Sequence, residues 1–231
     1  MKTIGLIGGM SWESSAAYYS IINRSIREAL GDSHSARILM YSYDFHDIEA
    51  DQKAGHWDSM RQSIFDVGRR LKVAGADFAV LCTNTMHKVM DGFDDEVGIP
   101  LLHIVDVAGE SLSSFGIKKI GLLGTRFTME EDFYTKRLMD GYDIDVMVPE
   151  AKDRKTVDSI IFNELVRGVA SDDSRQIYEG IMSALVEKGA EAILLGCTEI
   201  GILIKEFSSP LYDTTVLHAN KAAKLALASR D

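Results

Sequence analysis

Short unbroken apolar runs, several of them ending in glycine or cysteine, alternate along this chain with longer stretches whose apolar residues return every third or fourth position. Such runs read as strands buried on both faces, and the longer period reads as amphipathic helix. Strands are expected at 2–9, 36–45, 77–82, 100–105, 118–124, 143–148 and 191–197, with the stretch from Pro210 to Asp213 repeating the one from Pro100. The first helix opens at Ser11 as N-cap with Glu13 in its first turn, shows Tyr18, Tyr19, Ile22, Ile26 and Ala29 on its apolar side, and stops near Gly31. A second stripe, through Met60, Ile64, Val67, Leu71 and Ala74, ends at Gly75. Further helices are expected at 84–93, up to Gly116, and at 129–139, 157–167, 174–188 and 216–228, while the polar stretch from Asp44 to Gly55 reads as a surface loop.

The pattern occurs twice. Lys2-Thr3-Ile4-Gly5-Leu6-Ile7-Gly8 has a counterpart in Lys119-Ile120-Gly121-Leu122-Leu123-Gly124, and each half carries a Gly-Ala-acid signature, an apolar run and then a cysteine. Gly5 to Cys82 spans 77 positions and Gly121 to Cys197 spans 76. Strands alternating with helices call for parallel α/β sheets, and the repeat calls for two of them. The expected architecture is therefore α/β: two similar domains related by a pseudo-twofold axis, each a central parallel sheet flanked by helices. The first is expected over 1–105 with a closing helix at 214–231 packed back on it, and the second over 106–213.

A chain of 231 residues can bury a sizeable core, and its composition is that of an ordinary globular protein. The net charge of −10 argues against nucleic acid as a partner, which needs a basic face. An anionic ligand must then be held locally by amides, hydroxyls or a few arginines. No run of 18 or more apolar residues suggests a membrane span, and the N-terminus shows no signal peptide. The two cysteines do not make a disulfide framework, so free thiols in a cytoplasmic protein are expected.

Those two cysteines carry the chemistry. Ligands of open parallel sheets bind beyond the carboxyl ends of the strands. Four such ends are marked by Gly8-Gly9-Met10-Ser11, Cys82-Thr83-Asn84-Thr85, Gly124-Thr125-Arg126 and Cys197-Thr198-Glu199. If the halves face each other, these ends converge with a cysteine on each side, and helix N-termini there favour an anion and lower a thiol pKa. Two acid-base groups on opposite faces of one carbon suit its inversion. The carbanion must then be stabilised electrostatically by amides and by donors such as Thr83, Asn84, Thr85 and Thr198. His87 is a candidate to assist Cys82, and Arg126 to pair with a carboxylate. The remaining histidines at 34, 46, 56, 103 and 218 show no metal spacing, and Gly5, Gly8 and Gly9 do not fit a dinucleotide fingerprint.

Lys2 through Ser14, the box Cys82-Thr83-Asn84-Thr85-Met86-His87 and the segment Gly196-Cys197-Thr198-Glu199-Ile200 closely resemble the aspartate/glutamate racemase family, over essentially the whole chain. The resemblance implies a cofactor-independent amino-acid racemase, monomeric or dimeric, whose partner is a small amino acid. It implies catalytic roles for Cys82 and Cys197. It implies substrate contacts from Met10, Ser11, Gln52, Thr83, Asn84, Thr85, Thr198 and Glu199. Gly9-Met10-Ser11 stands where dedicated glutamate racemases carry an Asp-Ser-Gly box, which places the chain outside that branch. Hydantoin racemases and maleate isomerases also keep two cysteines, so these stand as alternatives. A non-catalytic carboxylate-binding protein on the same scaffold is the competing class.

Overall fold

The structure, a computed structural model, describes residues 1–228. The last three positions of the expected closing helix, 229–231, lie outside the described residues. The chain divides into two compact units: Met1–His103 together with the stretch from His218 onward, and Ile104–Leu217.

The first unit contains β1 (Thr3–Gly8), α1 (Trp12–Leu30), β2 (Arg37–Ser42), α2 (Phe45–Ala54), α3 (Trp57–Val73), β3 (Phe78–Leu81), a 3-10 turn at Thr85–Val89, α4 (Phe93–Val97) and β4 (Leu101–Leu102). The second contains α5 (Ile104–Ser114), β5 (Lys119–Gly124), α6 (Arg126–Glu130), α7 (Asp132–Tyr142), β6 (Asp145–Met147), α8 (Ala151–Asn163), a 3-10 turn at Leu165–Arg167, α9 (Asp172–Glu187), β7 (Ala192–Gly196), α10 (Ile200–Leu203) and β8 (Leu211–Asp213). A final helix, α11 (Thr214–Leu227), passes from the second unit into the first. Each unit holds one four-stranded, wholly parallel sheet, in the orders β2-β1-β3-β4 and β6-β5-β7-β8.

Strand alternation sorts the core. In the first sheet Ile7, Ala79 and Leu81 face α3 residues Met60, Ile64 and Leu71, while Ile4, Leu6, Phe78 and Val80 face Tyr18, Ile22 and Ile26 of α1 and the alanines of α11. In the second sheet Leu123, Ile193 and Leu195 face α8 and α9, and Ile120, Leu122, Ala192 and Leu194 face α5 and α7.

Several expectations need correction. The stretch after Asp44 is not a loop but α2: the Asp44 carboxylate accepts from the His46 amide, Gly55 ends the helix in the left-handed region, and Ile48 and Gln52 bury one narrow face. The 84–93 helix is a single 3-10 turn, because Gly92, at φ +79°, breaks the chain before α4. The strand from Pro100 pairs over two residues only, since α5 begins at Ile104. The 129–139 helix is two helices divided at Glu131, whose backbone is extended. Tyr19 and Ala29 do not join the apolar face of α1; both are exposed.

Candidate active site

In both sheets the residues of interest stand at the carboxyl ends of the two central strands. Beyond β1, Gly9 takes φ +83°, and a Cβ there would lie 2.2 Å from the Tyr43 carbonyl oxygen, so only glycine lets the two backbones approach. The Met10–Ser11 peptide that follows is cis. The Ser11 hydroxyl caps α1 by accepting from the Ser14 amide at 3.2 Å. Ser15 secures the loop, accepting from the Gly9 amide at 2.7 Å and donating to the Ser11 carbonyl at 2.9 Å. Ser14 donates to the Cys82 carbonyl at 2.9 Å, tying α1 to the end of β3. Neither Ser14 nor Ser15 was among the sequence candidates, although both fall in the first turn after a serine cap. Ser15→Ala is expected to cost roughly 2 kcal/mol, since the buried Gly9 amide loses its acceptor, and urea denaturation measures it directly.

Beyond β3, Thr83, Asn84 and Thr85 are buried in the turn that follows. Gln52 of α2 reaches the same turn, its Nε2 donating to Met86 Sδ at 3.3 Å. Met10 lies in the α3-side core with Met86. The structure thus brings the six substrate-contact candidates of the first unit, Met10, Ser11, Gln52, Thr83, Asn84 and Thr85, to one sheet end. His87 does not point its Nδ1 at Cys82: that nitrogen donates to the Thr83 carbonyl at 2.8 Å, and the ring sits edge-on to His103 at 4.6 Å and to His218 at 6.0 Å. Burial first, then His103 and His218, push its pKa well below the ordinary histidine value.

In the second unit Cys197 directly follows β7 and retains 7% exposure. Its thiol donates to Glu199 Oε2 at 3.1 Å, and the Thr198 hydroxyl donates to the same oxygen at 2.5 Å. Burial, and after it the Glu199 carboxylate, raise the thiol pKa well above its ordinary value. Arg126 is exposed, its guanidinium lying over Phe127 at 4.9 Å and its amide donating to Asp158 at 2.7 Å.

The two cysteines are not equivalent, contrary to the spacing argument. Gly5 pairs with Ala79 and its counterpart Gly121 pairs with Ile193. Four residues beyond each stand Thr83 and Cys197. Cys82 is instead the counterpart of Gly196. Because neighbouring strand residues face opposite ways, Cys82 follows Phe78 and Val80 into the α1 core, with 0% exposure and its thiol directed at the Val80 carbonyl 3.9 Å away. Burial raises its pKa far above the ordinary thiol value. The side chain that stands where Cys197 stands is the hydroxyl of Thr83.

Among the described residues no group of three or more His, Cys, Asp or Glu is placed to hold a metal, and no helix is long and apolar enough to cross a membrane.

The family profile described as Asp/Glu/Hydantoin racemase matches residues 7–222 of this chain. A crystal structure of an assigned Asp/Glu racemase from Yersinia pestis superposes with a TM-score of 0.92 at 46% identity, covering 99% of this chain and 100% of its own. An aspartate racemase homologue from Pyrococcus horikoshii OT3 superposes with a TM-score of 0.85 at 32% identity, over 98% and 99% of the two chains. The broad-specificity amino-acid racemase of Bacillus subtilis strain 168 is 23% identical over 97% of this chain and 98% of its own length. The chain belongs to the Asp/Glu/hydantoin racemase family.

Proposed function

We propose that this protein exchanges the α-proton of an acidic amino acid, aspartate or glutamate, and thereby interconverts its L and D forms without an electron-sink cofactor. The observation that carries this reading is the thiol of Cys197, placed at a strand end, slightly exposed and already sharing its proton with a carboxylate. Family membership supports the reaction class, and the similarity to an Asp/Glu racemase and an aspartate racemase homologue supports an acidic substrate. Hydroxyls and amides at Ser11, Thr83, Asn84, Thr85 and Thr198 would hold the substrate carboxylate and spread the carbanion's charge.

Cys197 is assigned one proton transfer at Cα, and Thr83, which holds the equivalent place in the register of its own sheet, is assigned the other. An aliphatic hydroxyl is a far weaker acid and its anion a far less accessible base than a thiol, so the two directions of proton transfer are unequal. The α-hydrogen facing Cys197 therefore exchanges with solvent faster than the centre inverts.

The test is proton NMR of each enantiomer of aspartate and glutamate with the protein in deuterated water, followed by chiral analysis. Loss of the α-proton from one enantiomer ahead of the appearance of its mirror image supports this assignment. Equal exchange from both enantiomers restores a second thiol, and no exchange from any of the four overturns the reading.

A further inference from the structure

The carboxylate of Glu199 does not cap the helix it precedes: α10 has no side-chain cap, and Oε2 is turned back onto its own strand end. There it receives both the Cys197 thiol at 3.1 Å and the Thr198 hydroxyl at 2.5 Å, with 4% of the residue exposed. We propose that Glu199 is the proton acceptor for Cys197, so that thiol and carboxylate act as one relay in which the carboxylate is the resting base. This rests on the reading that Cys197 exchanges the α-proton, and it replaces the substrate contact that the family resemblance implies for Glu199.

The step balances. At rest the pair holds one proton, on sulfur, and one negative charge, on Glu199. When the substrate Cα–H bond breaks, its proton forms a new S–H bond while the original thiol proton passes from sulfur to Oε2. The products are a carbanion at Cα, a thiol and a neutral carboxylic acid. Return of the proton from Oε2 to sulfur, as sulfur delivers its own to carbon, completes the cycle. The negative charge moves from Glu199 to the substrate and back, and at no point does a free thiolate stand beside a carboxylate. That last state is the costly one in so buried a place, since like charges in a poorly solvated site repel strongly. Thr198 holds Oε2 on the line to sulfur.

The experiment compares the full-length protein with its Glu199→Gln variant by two readouts that move in opposite directions. Glutamine keeps the shape and can accept a hydrogen bond, but its amide cannot take the proton. Exchange of the α-proton is expected to fall by about 10²-fold or more, with KM changed only a few-fold. Alkylation of Cys197 by iodoacetamide at pH 8, followed by mass spectrometry of its peptide, is expected to speed up, because removal of the neighbouring carboxylate makes the thiol more acidic. Loss of a merely structural contact would not raise thiolate reactivity while lowering turnover.

The Glu199→Asp variant, which retains the carboxylate on a shorter arm, is expected to recover part of the exchange and the slow alkylation. It carries the comparison if the glutamine variant does not fold. Exchange in Glu199→Gln within about threefold of the unaltered protein, where general-base loss predicts a far larger change, overturns the proposal. So does a KM effect without a kcat effect, which would return Glu199 to substrate binding. Should the unaltered protein exchange no α-proton at all, the racemase reading falls, and the alkylation comparison still decides whether the carboxylate governs the thiol; an alkylation rate that ignores Glu199→Gln overturns that coupling by itself.

Discussion

Cys197→Ala is expected to lower α-proton exchange on the order of 10³-fold or more, while Cys82→Ala leaves it within a few-fold of the unaltered protein. The contrast follows from where each side chain lies. Cys197 directly follows β7, with its thiol on Glu199 and some residual exposure. Cys82 is sealed among Ile4, Leu6, Phe78, Val80 and the alanines of α11, and its sulfur meets no polar partner closer than the Val80 carbonyl at 3.9 Å. Removing its sulfur opens a small void and costs stability of about 1 kcal/mol, a loss visible in the melting temperature rather than in turnover. The same NMR assay in deuterated water, run on both single variants and on each enantiomer, separates the two. If Cys82→Ala abolished exchange in a protein that still melts cooperatively, the assignment of Thr83 to the first unit's position would be wrong and the two-thiol mechanism would return.

Acidification is expected to destabilise the protein well before its carboxylates are titrated. His218 lies fully buried between two bonds. Its Nε2–H donates to the Leu102 carbonyl at 2.8 Å, and its Nδ1 therefore accepts from the Tyr18 hydroxyl at 2.8 Å. In that arrangement the ring is neutral, one nitrogen donating and the other accepting. Burial lowers its pKa to about 4 from the ordinary 6.5. His87, facing His103 and His218, is shifted in the same direction. The unfolded chain therefore binds protons that the folded chain refuses, so stability rises with pH across this window and is lost as pH falls from about 6.5 towards 4. His218 alone accounts for roughly 3 kcal/mol over the whole window, and His87 adds to it. Asp213 acts with the opposite sign, since burial raises its pKa and acid relieves it. Urea denaturation at pH 7.5, 6 and 5 reads the balance, and His218→Gln should flatten the slope. A stability unchanged between pH 7.5 and 5 would show that these rings take up protons freely in the folded state.

The central strands were legible because an unbroken apolar run closed by glycine or cysteine has few other uses, and Gly5, Gly8, Gly121 and Gly124 mark their equivalence. Equivalence at the far ends of the units was not. One residue of difference in the spacing turns a strand side chain to the opposite face, so counting from Gly5 to Cys82 and from Gly121 to Cys197 matched a core thiol to a site thiol. Alternation held the answer: Phe78, Val80 and Cys82 share a parity, as do Ala79, Leu81 and Thr83. The helix α2 was hidden for a different reason. Only Ile48 and Gln52 bury a face there, too few to leave a period in the sequence, and the capping by Asp44 and Gly55 is shared by many loops. Glu199 was named as a site residue, but its direction was out of reach, since a carboxylate three residues past a strand can turn forward to helix amides or back to the strand.

The closing helix α11 gives the two units different requirements for completing their folds. Its residues Ala219, Ala222, Ala223 and Ala226 complete the layer over Ile4, Leu6 and Val80, His218 meets Tyr18, and the Ala226 carbonyl accepts from the Lys2 amide at 2.8 Å. The second unit is one continuous stretch and can close on its own residues. The first is split by it, so the early half of the first unit keeps an open flank until α11 has docked, and its completion waits on a segment that follows the whole of the second unit.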